Sequence, residues 1–353
     1  MLDRTLLRIP SLDGLRAISI TLVIVGHVLG LKIPFFIGLA ALGVRVFFVI
    51  SGYLITKILL REIEALGRIP LPRFYLRRTL RLFPAFFAYA LVIIVLAHFG
   101  VVELKSGDVL SAFTYTMNYH RVRAWSLGHF WSLAVEEQFY FVWPALLVAL
   151  GGTRGIRFAA LYVLAAPLIR IGSWYVFPGS RAGIGETFPT TADAIAIGCV
   201  LAGVRPWLEQ QPGYLRFQKS GAFALVPVVA VLTTRLDSHP LPDMLFGQTL
   251  ANVCVAMVID WCVRFPEGSV GRLLNAPPLV VVGVGSYSLY LWQQLFLNPR
   301  SNLWFNAFPA NVILASLMAV ASYRLIEKPV MTLRSHWEGL RMRAREPTIP
   351  PPE

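Results

Sequence analysis

Leu12-Asp13-Gly14-Leu15-Arg16-Ala17-Ile18-Ser19-Ile20-Thr21-Leu22-Val23-Ile24-Val25-Gly26-His27 decides how the rest of the chain is read. The run continues, mostly apolar, to residue 31 and has the length of about 20 residues that a membrane-spanning helix needs. Arg4 and Arg8 precede it, as in a secretion signal, but it is too long, carries Asp13 and Arg16, and has no small-x-small cleavage site. It reads as a retained span with polar groups set into it. A charge near the bilayer centre is costly, so such groups are functional candidates. Arg16 and His27 are separated by three helical turns to within about 20°, so they share one face, about 16.5 Å apart along the axis. Ser19 and Val23 lie between them, and Gly26 and Gly30 leave room alongside. A cation near one mouth and an imidazole about halfway across suit a thioester donor on an extended phosphopantetheine arm.

The whole chain supports the membrane reading. Its 353 residues are 56% hydrophobic and only 14% charged, against roughly 25% charged in soluble domains. Ten segments have spanning character: 12–31, 38–60, 82–102, 128–150, 158–177, 191–208, 220–236, 244–263, 279–297 and 310–326. The expected fold is an all-α polytopic bundle of about ten transmembrane helices with both termini cytoplasmic. That orientation places 20 Lys and Arg in cytoplasmic segments and 7 outside, as the positive-inside rule demands. The net charge of +13 is therefore mostly topology, and no nucleic-acid partner is expected. Residues 1–329 form the membrane domain, and 330–353 read as a basic, Pro-rich cytoplasmic tail able to meet anionic lipid headgroups. Cys199, Cys254 and Cys262 lie in apolar runs and make neither a disulfide framework nor a metal pattern; no metal is expected.

Two more clusters carry chemistry. Arg77, Arg78 and Arg81 open the third span at spacings that put three guanidiniums on one side of a helix, which suits phosphate oxygens. In the fourth span, Glu136 shares a face with His129, Ser132 and Tyr140, whereas Glu137 shares one with Phe130, Leu133 and Phe141. Glu136 is thus expected in a polar cavity and Glu137 in an ion pair, because a carboxylate among apolar groups needs a partner. His129 is placed near the outer surface, either solvated there or in contact with an acceptor. Arg170 with Asp193, Asp260 with Arg264, and Arg324 with Glu327 are expected as structural pairs. Ser286-Tyr287-Ser288-Leu289-Tyr290-Leu291-Trp292-Gln293-Gln294 lays a polar, aromatic strip through the ninth span, which either lines a cavity or bonds neighbouring helices.

These segments, in this order, resemble the acyltransferase-3 family of bacterial membrane acyltransferases. The matching pieces are Leu12-Asp13-Gly14-Leu15-Arg16-Ala17 with His27, the stretch Gly43 to Thr56 containing Phe47-Phe48-Val49-Ile50-Ser51-Gly52, and Arg77-Arg78-x-x-Arg81-x-x-Pro84. Phe130 to Tyr140, Ser286 to Trp292, and Ser322-Tyr323-Arg324-Leu325-Ile326-Glu327-Lys328-Pro329 follow. The resemblance implies about ten helices and transfer of an acyl group, usually acetyl, from cytoplasmic acyl-CoA to a carbohydrate hydroxyl in the bacterial inner membrane. It matches Arg16 and His27 to the family's essential arginine and histidine, and Arg77, Arg78 and Arg81 to its donor-binding arginines. The chain departs from it in two respects. Arg45 stands where many members have an acidic residue, which makes Glu136 a candidate partner for His27. Gln293 and Gln294 follow Tyr-Leu-Trp where many members have histidine. Some relatives add a soluble esterase-like domain, and the short tail here implies direct transfer to the final acceptor.

The expected assignment is then catalytic His27, Glu136 and Arg16; donor binding by Arg77, Arg78, Arg81 and Arg16; and substrate binding by Glu137, Tyr140, Trp292, Gln293 and His129. The rival reading is a secondary transporter or flippase in which the same groups line a pathway.

Overall fold

The computed structural model describes residues 9–30 and 32–343, which are mostly helical and contain no strand. Arg4, Arg8, Arg345 and the terminal prolines lie outside that range. In hydrocarbon every backbone amide must be satisfied within its own segment, which makes helix the outcome for each apolar run. The principal helices are α1 (Pro10–Leu29), α2 (Phe35–Leu66), α3 (Leu71–His98), α4 (Phe130–Leu150), α5 (Gly152–Val176) and α6 (Asp193–Leu208). They are followed by α7 (Leu225–Thr233), α8 (Gln248–Arg264), α9 (Pro277–Val284), α10 (Ser286–Phe296) and α11 (Ala310–Ser322). After α11 the chain runs through a π-turn at Tyr323–Glu327 into a further helix, Lys328–Arg343, so helix continues well past residue 329.

Among the described residues eight helices have the length and apolar character to cross a membrane, and a bent pair brings the number to nine; ten were expected. The segment at 191–208 accounts for the difference. Pro189 and the break at Ala192 delay its helix, leaving 16 residues, or about 24 Å against a hydrocarbon core of about 30 Å. It is sheathed by protein instead of lipid: Asp193 through Cys199 are all buried. The expected ninth span breaks at Gly285 into α9 and α10, which meet at 68°. The third begins eleven residues early, so Arg73, Arg77, Arg78 and Arg81 all stand on α3. The helices are a polytopic membrane bundle, with side chains such as Leu164 and Phe141, each 73% exposed, on its lipid-facing outside.

Packing at the centre depends on missing side chains. A Cβ on Gly52 would lie 1.9 Å from the Ile195 carbonyl oxygen, and one on Gly198 2.1 Å from that of Val49, so α2 and α6 cross backbone to backbone. Small residues at crossings are the usual solution where lipid provides no hydrophobic drive between helices. The same closeness recurs where Gly283 of α9 meets the Asp13 carbonyl, seating the broken span against the polar end of α1.

Candidate active site

The α1 stripe is formed as its spacing dictates, and it connects two regions. Around Arg16 lies a cavity of about 90 Å³ lined by Arg78 and Arg81 of α3, Ser51 of α2, Glu136 of α4 and Tyr287 of α10. Its cations are not equivalent. Arg78 Nη2 is 3.0 Å from Glu136 Oε1 and its Nε is 3.6 Å from Glu137 Oε1. The same guanidinium stacks 3.6 Å from the centre of the Tyr140 ring. Arg77 turns away to an ion pair with Glu62 and does not line the cavity. Arg16, 3.7 Å from Asp13, and Arg81, which makes no ion pair among the described residues, are the cations left to face an incoming anion.

Glu136 does not orient His27. Its Oε1 accepts from Ser51 Oγ at 2.6 Å, from Arg78 and from the Tyr140 hydroxyl, which keeps it at the Arg16 end. The partner of His27 is Gln293, whose Oε1 lies 2.7 Å from Nδ1. A chain of bonds fixes the direction of that contact. The Trp125 carbonyl can only accept, so the Gln294 amide nitrogen donates to it at 2.8 Å. Gln294 Oε1 is then an acceptor and takes the Gln293 amide nitrogen at 3.1 Å. That leaves Gln293 Oε1 facing His27, so Nδ1 carries the hydrogen and the Nε2 lone pair is free. The far end is clamped again by Trp125 Nε1, which donates to the Gln294 carbonyl at 2.8 Å. The Trp125 ring packs against the His27 ring at 5.4 Å, tilted 69°.

His129, expected near the surface, is 4% exposed. It sits in a box of rings with Tyr89 at 5.4 Å and Tyr290 at 5.5 Å, because the segment before α4 folds back and is tied by Tyr89 to the Ser126 carbonyl. Neither of its ring nitrogens, nor Trp292 Nε1, has a hydrogen-bond partner among the described residues. Tyr290 and Ser132, bonded at 2.5 Å, close the inner cavity on the side toward this box. Of the five residues expected to bind acceptor, Glu137 and Tyr140 belong to the Arg78 cluster, Gln293 to His27, and His129 and Trp292 to the box. Beyond Trp125 lies a second cavity, of about 360 Å³, between segments 101–126 and 294–306. Trp125 was not anticipated; it lies in a short turn with no periodic signal.

The structural pairs are mostly as expected. Arg170 pairs with Asp193, and Asp260 with Arg264 at 3.1 Å and also with Arg205 at 3.0 Å. Glu327 is the exception: it accepts from Ser288 Oγ, while Arg324 is exposed. The π-turn rotates the two side chains apart. Arg45 donates to Asn252 Oδ1 at 3.4 Å, and Asn252 donates to Asp193. This arginine thus extends the Asp193 network and takes no part in the His27 site.

The chain matches an acyltransferase domain family over residues 9–323. It is 30% identical to the peptidoglycan O-acetyltransferase of Listeria monocytogenes over 91% of this chain and 56% of that protein. It is also 30% identical to a putative peptidoglycan O-acetyltransferase of Bacillus subtilis, over 92% of this chain and 55% of that protein. A putative O-acetyltransferase of Staphylococcus aureus is 28% identical, over 91% and 57%. The chain spans a little over half the length of these relatives, and no solved structure matches it. With the ordered motifs covered by one family model from residue 9 to residue 323, around a bundle that holds an arginine-lined cavity and His27 on one stripe of α1, the protein belongs to the acyltransferase-3 family.

Proposed function

We infer that the protein transfers an acyl group, most simply acetyl, from acyl-CoA on the cytoplasmic side to a carbohydrate hydroxyl presented at the opposite face of a bacterial inner membrane. The observation that supports this best is the position of His27, whose free Nε2 lone pair is set between an arginine-lined cavity and a polar one. Donor phosphates dock on Arg16 and Arg81, and the pantetheine arm carries the thioester toward mid-membrane. His27 Nε2 takes the proton of the acceptor hydroxyl as that oxygen bonds to the thioester carbonyl carbon. The carbon–sulfur bond breaks, and the departing thiolate recovers the proton from the imidazolium. Acetylation of a cell-wall glycan is the natural extension from the relatives named for peptidoglycan.

The test is release of free thiol from acetyl-CoA by the purified protein in lipid nanodiscs, with glycan strands as acceptor. No acceptor-dependent thiol release would overturn the reading and favour a transporter, which leaves the thioester intact. In the same assay Arg81→Ala is expected to raise the donor KM by about 10- to 100-fold, the worth of a charge-assisted contact. Arg77→Ala is expected to leave it within a few-fold, because Arg77 is committed to Glu62.

The amide chain gives a sharper expectation. Gln294→Leu removes the group that orients the Gln293 amide, so Gln293 is free to turn its nitrogen toward Nδ1 and select the wrong tautomer. The kcat should fall about tenfold or more with the donor KM unchanged. Steady-state kinetics on that variant, beside Gln293→Glu, which keeps an acceptor on Nδ1 and should retain more activity, separate this from simple loss of packing.

A further inference from the structure

The cavity beyond Trp125 falls within the roughly 300–1,000 Å³ of small-molecule sites, and its walls are mixed. Trp125 and Phe305 contribute rings, Asn298 an amide and Ser301 a hydroxyl. Most of its charge is already spent. Arg123 lies 2.6 Å from each oxygen of Glu186 and also donates to the Met117 and His120 carbonyls at 3.2 and 3.3 Å. It is part of the frame. Lys105 pairs with Glu103. Arg300 has its backbone N–H on Asn298 Oδ1 at 3.1 Å, and its guanidinium has no carboxylate among the described residues. None of Glu137, Tyr140, Trp292, Gln293 and His129 lines this space.

We propose that this cavity is the acceptor site and that it takes a carbohydrate bearing a carboxylate, with Phe305 as a stacking surface and Arg300 as the reader of the acid. The proposal rests on the acyl-transfer reading above. Aromatic faces suit the C–H faces of a pyranose, side-chain amides suit paired hydroxyls, and one uncompensated guanidinium suits one carboxylate. A nucleotide donor would need several free cations for its phosphates, which the cavity does not offer, and an acyl chain would fit Val101, Val102, Leu295 and Leu303 but leave Asn298, Ser301 and Arg300 without partners. The position also fits. Trp125, which lines the cavity, has its ring 5.4 Å from the imidazole and its indole N–H bonded to the Gln294 carbonyl.

The test is binding, so that it does not depend on turnover. The probes are the disaccharide N-acetylglucosaminyl-N-acetylmuramic acid and its methyl ester, titrated by saturation-transfer NMR against the full protein in nanodiscs. The acid should bind the wild type about tenfold more tightly than the ester, and His27→Ala should bind it equally well. Arg300→Gln should erase the preference for the acid, and Phe305→Ala should weaken both ligands about tenfold. Equal binding of acid and ester by the wild type, or unchanged binding by both variants, overturns the proposal. If binding behaves as stated but His27→Ala still transfers acyl groups at the wild-type rate, the catalytic reading falls and the binding site stands.

Discussion

His27→Ala is expected to lower acyl transfer by about 10²- to 10⁴-fold, the usual contribution of a positioned general base. The fold should tolerate it. The side chain is only partly buried, and its hydrogen bond is to one amide. Arg16, about 16.5 Å away along the same helix, keeps its place on the inner cavity, so the donor KM should move little. A loss confined to kcat is the signature of a group that acts on the reacting hydroxyl, whereas a collapsed helix would lower both parameters. Thiol-release kinetics with a melting curve on the same preparation check this. Activity near that of the wild type would remove His27 from the mechanism.

Asp193→Ala is expected to destabilise the bundle by about 3–5 kcal/mol, the cost of leaving a buried charge without its partner. Arg170 and Asp193 are both 0% exposed. The guanidinium also donates from Nε to the Thr190 carbonyl at 2.7 Å and from Nη1 to Thr249 at 3.0 Å, and Asp193 accepts from Asn252 at 3.0 Å. These bonds hold the stranded arginine in place, so it cannot move out to water. Asp193→Ala with Arg170→Met should recover much of the loss, because the pair has more value as mutual neutralisation than as net stabilisation. Thermal denaturation in detergent measures both. The network does not touch His27, and surviving folded protein should retain its turnover number.

Much of this was legible in the chain. Hydropathy places the helices, and the spacing of Arg16 and His27 places both on one face, since each depends on residues within a few turns of one another. The Arg170–Asp193 pair was legible for a different reason: two opposite charges at similar depth in apolar segments have few alternatives. What escaped was decided by long-range contacts. His27 and Gln293 are 266 positions apart, and nothing local shows that an amide, and not Glu136, would meet the imidazole. The direction of that bond comes from the Trp125 backbone carbonyl, a group whose aim is set only by tertiary structure. The expectation for Arg77 failed similarly, because helical spacing groups it with Arg78 and Arg81 while Glu62 of α2 draws it off. A count of apolar residues likewise cannot show that 191–208 is wrapped by other helices.

The break at Gly285 has an electrical meaning. An unbroken span presents its free amides only at the membrane surface, but α10 begins beside the inner cavity, and Ser286 and Tyr287 of its first turn line that cavity. The first N–H groups of a helix have no partner within it and carry about half a positive charge between them. This end of α10 shares the cavity with Arg16 and Arg81. A span broken in two thus turns a helix N-terminus toward the cavity without an additional charged side chain to solvate.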